Sequence, residues 1–339
     1  MWKFIRQWVR MPFRISIRYL KGNFYSRSFI SAMNFWFRIF SVDSNKLGKK
    51  NKPTMQSYSK IIKKGLERLE ELEKTKHVRR YKYFRENSGG SETGQTVRNN
   101  QKYFQKIPFK MRTIDSKEAD VSTSLFDREL ETPIMNGPLS GLSDITDQSL
   151  RKIAKGVSQV GSIAWMGIGS ESKLSAMLEE TNKVIKIVKP YREKEKVIEK
   201  IEKAEKLGVT AVGIDVDFIL GGKNGDKTFR RGLMGPKTLS DLKEIISTTE
   251  LPFILKGILS SEDARKAKTA GADAIVVSNH GGVVLDYAAH PLQLLPEVRE
   301  EVGDDLTVLA DSGFQRGTDV LKGLALGADG ILLARTPVL

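Results

Sequence analysis

The chain has 339 residues and no cysteine, which excludes disulfides, thiolate metal sites and cysteine nucleophiles. Its three histidines, His77, His280 and His290, argue against a multi-histidine metal cluster, and no metal is expected. The net charge of +15 is divided unevenly: residues 1–110 hold 26 Lys and Arg against 7 Asp and Glu, a net of +19, whereas residues 111–339 hold 30 against 34, a net of −4. The C-terminal two-thirds therefore has the balance of an ordinary soluble enzyme without the basic face of a nucleic-acid binder, and a cytoplasmic setting is expected for it.

Three segments are expected: a basic aromatic extension over 1–54, a helical and loop segment over 55–110, and a barrel over 111–339. Residues 1–42 contain no acid, eight Lys or Arg and twelve aromatics. No apolar run there reaches the roughly 18 residues a membrane span needs. Three readings stay open: contact with an anionic membrane surface, a targeting leader, or a disordered arm ahead of a working start at Met55. Residues 1–54 are expected to be dispensable for the barrel. Ile61, Ile62, Leu66, Leu69 and Leu72 recur at helical spacing within 55–76. Residues 86–97 are rich in Gly, Ser and Thr, the composition of a loop, and Gly89, Gly90 and Gly94 are too sparse to define a phosphate loop.

From Glu131 onward short apolar runs alternate with amphipathic stretches. Strands are predicted at 133–136, 162–166, 184–188, 211–217, 253–256, 274–278, 307–310 and 330–333. Helices between them include 193–207, 239–246, 261–270 and 318–326. Eight unbroken apolar strands separated by helices predict a parallel sheet covered on both faces, closed into a (β/α)8 TIM barrel. The absence of a glycine-rich fingerprint after the first strand argues against an open dinucleotide-binding sheet.

A barrel builds its site at the C-terminal ends of its strands. Polar residues gather there: Asp215 and Asp217, Lys256-Gly257, Ser278-Asn279-His280-Gly281-Gly282, Asp311-Ser312-Gly313, and Ala334-Arg335. One such group is unremarkable. Five consecutive strand ends carrying them point to a ligand site.

This ordered set resembles the FMN-dependent α-hydroxy acid oxidases and dehydrogenases, the L-lactate oxidase and glycolate oxidase family. The resemblance spans roughly 111–339 and is strongest over 250–335. It implies FMN as cofactor, a small 2-hydroxy acid as substrate, an electron acceptor such as dioxygen, and a homo-oligomer. It implies His280 as the base that takes the hydroxyl proton while hydride leaves for flavin N5, with Asp217 orienting it. Lys256 is implied at flavin N1 and O2, where reduction leaves negative charge. Gly137, Pro138, Leu139 and Ser140 resemble the backbone that contacts the ring. Lys186 stands where relatives carry a glutamine, and Asp215 where they carry a threonine; Ser278 completes the ring's surroundings. For the phosphate the resemblance implies Asp311, Ser312, Gly313, Gln315, Arg316, Ala334 and Arg335.

Five departures accompany the matches. Val283 stands where relatives have a carboxylate-gripping arginine, and no arginine occurs in Phe218–Asn224, where a second is expected. A strand-three tyrosine is replaced by Val188 or a neighbour. Gln315 replaces an arginine, and the sequence stops at Leu339 where a closing helix is expected, so that either the enzyme is short or the chain is a fragment. Small 2-hydroxy acids are thus expected to be poor substrates unless Arg230 or Arg231 supplies the charge. A flavin-binding barrel with altered or lost substrate specificity, and a flavin-dependent isomerase on the same barrel, are the alternatives.

Overall fold

The computed structural model describes residues 89–111, 113–139, 148–230 and 232–335. The helix expected within 55–76, and the candidates Ser140 and Arg231, lie outside the described residues. No described helix is long and apolar enough to cross a membrane.

Eight parallel strands form one sheet: β3 (Ile134–Asn136), β4 (Ala164–Met166), β5 (Val184–Val188), β6 (Ala211–Asp215), β9 (Phe253–Ile258), β10 (Ala274–Val277), β11 (Thr307–Ala310) and β12 (Gly330–Leu333). Their order is β3-β12-β11-β10-β9-β6-β5-β4, the order of a TIM barrel opened between its first two strands. Asn136 spans that seam. Its side chain accepts from Trp165 N at 2.9 Å and donates to Trp165 O at 2.9 Å, standing in for a neighbouring strand's peptide group. Ser162 Oγ adds a bond to Ile134 O at 2.7 Å. The predicted strands match these within two residues at every end, the largest differences including β6, which ends at Asp215, and β9, which extends to Ile258.

Side chains alternate between two cores, as a sheet with both faces covered requires. Ile185, Ile187, Ala211, Ile254, Ala274, Val276, Leu309 and Leu332 fill the lumen with Trp165. Val184, Val188, Val212, Ile214, Leu255, Ile275 and Ile331 face outward to the helices. The covering helices are α2 (Ser149–Gln159), α3 (Glu171–Leu178), α4 (Lys194–Lys206), α5 (Leu239–Ile246), α6 (Ser261–Ala270), α7 (Pro291–Val302) and α8 (Gly317–Ala325). Local signals set their starts. Thr238 and Asp241 form a capping box on α5, Ser260 caps α6, and His290 caps α7 ahead of Pro291. The hairpin β1 (Thr123–Leu125) and β2 (Arg128–Leu130) turns through Phe126 and Asp127, both at positive φ, and adds Leu125 and Leu130 to the lumen.

One expectation is corrected at the N-terminal side. The loop expected over 86–97 ends at Gly94, because α1 (Gln95–Lys102) begins there. This helix docks on the loop after β10. The Asp286 carboxylate accepts from the amides of Thr93 and Thr96 and from the Thr93 hydroxyl at 2.8, 3.0 and 2.5 Å. Asn100 and Asn279 exchange side-chain hydrogen bonds of 2.9 and 2.7 Å. Phe104 packs edge-on against Phe314. Residues 93–104 therefore pack with the barrel, although the sequence reading grouped them with 55–110.

Candidate active site

Asp215 ends β6 with its side chain on the lumen face, in register with Lys256 on β9. Both are buried. Lys256 Nζ lies 3.4 Å from Asp215 and 3.2 Å from Asp311, and donates to Ser278 Oγ at 3.1 Å. Ser278 Oγ also accepts from the His280 amide at 3.0 Å, and Ser312 Oγ bridges Asp311 and the amide of Gly281. Burial alone would push the Asp215 carboxyl upward, but the charges of Lys189, Lys256 and His280 hold it well below the usual carboxylate range. The reverse holds for Lys256: burial pulls its ammonium down, and Asp311, Asp215 and Asp217 together raise it above the ordinary lysine value.

His280 follows β10 in a left-handed backbone conformation, φ 54°. For a non-glycine residue this is uncommon, and it turns the ring toward Asp217. The imidazole Nδ1 lies 3.0 and 3.1 Å from the two Asp217 oxygens. An acceptor at Nδ1 fixes the proton there and leaves the Nε2 lone pair free to take another. The carboxylate packs closely over Gly257, where a Cβ would meet Asp217 Cγ at 2.4 Å.

Sequence reasoning missed Lys189. Its buried Nζ donates to Asp215 Oδ2 at 2.7 Å, lies 3.3 Å from His280 Nε2 and stands 4.0 Å over the Phe218 ring. Its signal was local: Pro190 follows it. A residue before proline is confined to extended backbone, so the alternation Ile185, Ile187 continues to 189. Lys186 has the opposite parity. It is buried toward the helix layer, donates to Gly167 O and feels Lys200 of α4, and burial with that like charge lowers it to about 8. The assignment of Lys186 to the flavin edge is corrected on this ground, and Val188, named for the expected tyrosine, also faces the helix layer.

Other candidates divide. Gly137, Pro138 and Leu139 follow β3, where Gly137 N donates to Leu333 O at 2.8 Å and the chain runs against Ala334. Gly313 is required first by packing, because a Cβ there would meet Asn100 O of α1 at 2.3 Å. Gln315 and Arg316 are exposed, and their amides both donate to Asp319 at 3.1 Å, capping α8. Val283 is half-buried and its carbonyl accepts from Lys223 N of β7 (Gly222–Asn224) at 2.7 Å. Arg230 is exposed next to β8 (Lys227–Phe229), and among the described residues no hydrogen bond or ion pair ties it to the cluster. Asp215, Asp217 and His280 stand close enough to share a cation, but the ammonium groups of Lys189 and Lys256 already fill that role at Asp215.

The sequence pattern of the family described as FMN-dependent dehydrogenase matches residues 75–239 and 223–339. The chain belongs to the FMN-dependent dehydrogenase family. Among its relatives, the peroxisomal (S)-2-hydroxyacid oxidase GLO3 of Arabidopsis thaliana is 31% identical over 281 residues, 73% of this chain and 77% of that protein. Glycolate oxidase 3 of the same plant is 29% identical, with 83% of each chain covered. Among solved structures, a mandelate oxidase variant with 2-hydroxy-phenylacetamide superposes with a TM-score of 0.65 at 27% identity, over 74% of this chain and 78% of that one. A lactate oxidase of Pediococcus acidilactici gives 0.65 at 26% identity, over 73% and 75%.

This FMN-dependent dehydrogenase has donors that suit the cofactor. Arg335 follows β12, where barrels commonly bind phosphate. Burial pulls its guanidinium below the ordinary value, with partial relief from Asp311, and its bond among the described residues is a 3.4 Å contact to Gly281 O. A half-buried cation with no acid at salt-bridge distance among the described residues suits an anion. Lys256 would meet the ring's electron-rich edge and Arg335 the phosphate; Arg316 stands farther out, at the α8 N-terminus.

Proposed function

We propose that the enzyme oxidises an L-2-hydroxy acid to the 2-oxo acid, with His280 as base. The observation that carries this reading is the His280–Asp217 pair, with Nδ1 committed to the carboxylate and Nε2 turned to the strand-end cluster of a family barrel. His280 Nε2 takes the hydroxyl proton. Asp217 stabilises the imidazolium that results and prevents the ring from rotating. Bound FMN supplies the acceptor for the hydride that leaves the α-carbon. Lys256, held by two carboxylates and Ser278, presents a fixed positive charge that needs no reorganisation when negative charge develops beside it. An oxidant, dioxygen or another acceptor, completes the turnover.

The test is anaerobic. The purified yellow protein should release FMN on denaturation, and the oxidised-flavin band should bleach with at least one of L-lactate, glycolate and L-mandelate. Bleaching by none of a broad panel of 2-hydroxy acids would overturn the reading.

A further inference from the structure

The reaction needs a cation for the substrate's anionic end, and the arginines expected for it are absent. Val283 stands at one position, Phe218–Asn224 lacks the other, Arg230 is exposed, and Arg231 lies outside the described residues. We propose that Lys189 is the anchor for the substrate carboxylate, a role that rests on the 2-hydroxy acid reading above.

Three observations converge on it. The Lys189 ammonium is 3.3 Å from His280 Nε2. A hydroxyl bonded to that nitrogen carries its carboxylate on the adjacent carbon, within reach of an ammonium that already touches the same atom. Second, Lys189 is preset. Asp215 Oδ2 holds it at 2.7 Å, the Phe218 ring lies beneath it at 4.0 Å, and the side chain is 4% exposed, so little ordering remains to be done on binding. Phe218 also packs on the His280 ring with centroids 5.0 Å apart, so one aromatic side chain fixes the spacing of base and cation. Third, the pairing is not saturated. Asp215 has Lys256 at 3.4 Å as a second cation, so Lys189 can turn an N–H from His280 to a carboxylate without leaving Asp215 uncompensated.

A substrate carboxylate meets the Lys189 ammonium with charge and hydrogen bond together, whereas a neutral 2-hydroxy amide offers only the hydrogen bond, so the site discriminates by charge.

The test uses FMN-loaded enzyme and oxalate, a dicarboxylate with no α-hydrogen to transfer. Calorimetry gives its affinity for wild type, Lys189→Met and Lys189→Arg. The Met variant should bind oxalate about 10- to 150-fold more weakly, the range of one charge-assisted hydrogen bond. The Arg variant should recover most of that loss, and reduction by lactamide should change far less than reduction by lactate. Should Lys189→Met fail to fold, Lys189→Met with Asp215→Asn removes the cation and its buried counter-charge together. Equal oxalate affinity in wild type and the Met variants, or no oxalate binding by wild type, would overturn the anchor. Oxalate binding needs no turnover. Lys189-dependent binding in an enzyme that no 2-hydroxy acid reduces would count against the assigned reaction and leave the anchor standing.

Discussion

Gly257 shows how a residue without a side chain sets the chemistry. Its φ is 101°, and a Cβ there would press on Asp217 Cγ at 2.4 Å. Gly257→Ala should displace the carboxylate that orients His280. Gly208 is the control: its φ is 83° and a Cβ would meet nothing within 4 Å. Both substitutions incur backbone strain of about 1–3 kcal/mol, read as a lowered melting temperature. Only Gly257→Ala should also slow flavin reduction, by about 10²-fold, the scale of a 1 Å misplacement. Equal rates in the two variants would show that Asp217 tolerates the shift. At this scale the sequence was legible where a motif runs in unbroken order: Asp217, Lys256, Ser278, His280 and Asp311 meet as expected. It was not legible for Lys186 and Lys189, because a one-residue slip in a strand exchanges the faces, and the run Val184–Val188 is apolar on both sides of Lys186.

At the scale of elements, the strand pattern was readable because both faces of each strand are apolar and the intervening helices carry ordinary caps. The docking of α1 was not. It depends on Asp286 and Asn279, about 180–190 positions away in sequence, and no local periodicity reports such a pairing. His290 sits where α1, its following turn and α7 meet. Its Nδ1 accepts from Leu292 N at 3.0 Å, and the ring stacks on Tyr103 at 4.7 Å and meets Phe104 edge-on. Burial lowers the imidazole to about 4, against a smaller upward pull from the Asn100 backbone. The folded value lies below the unfolded one of about 6.5. The stability due to neutral His290 is therefore complete above pH 6.5 and is lost progressively as pH falls toward 4, by about 3 kcal/mol in total. His290→Asn keeps an N-cap acceptor and removes the titration. Its denaturant midpoint should fall less steeply than that of wild type between pH 6.5 and 4, and parallel slopes would place the acid sensitivity elsewhere.

Across the whole molecule, the barrel concentrates its charge chemistry at one end. Asp215, Asp217 and Asp311 alternate there with Lys189, Lys256 and Arg335 over a lumen filled by aliphatic side chains and Trp165. Counter-charges hold every one of these groups but Arg335, so most of the site is organised before any ligand arrives. The central claim is that His280, set by Asp217, removes the substrate's hydroxyl proton. Stopped-flow flavin reduction under anaerobic conditions tests it directly, comparing wild type with His280→Ala at equal FMN content and with the same 2-hydroxy acid. The account predicts a reduction rate about 10²–10⁴-fold lower in the variant, the usual contribution of a positioned base, with flavin binding retained. Reduction at the wild-type rate in His280→Ala would contradict it.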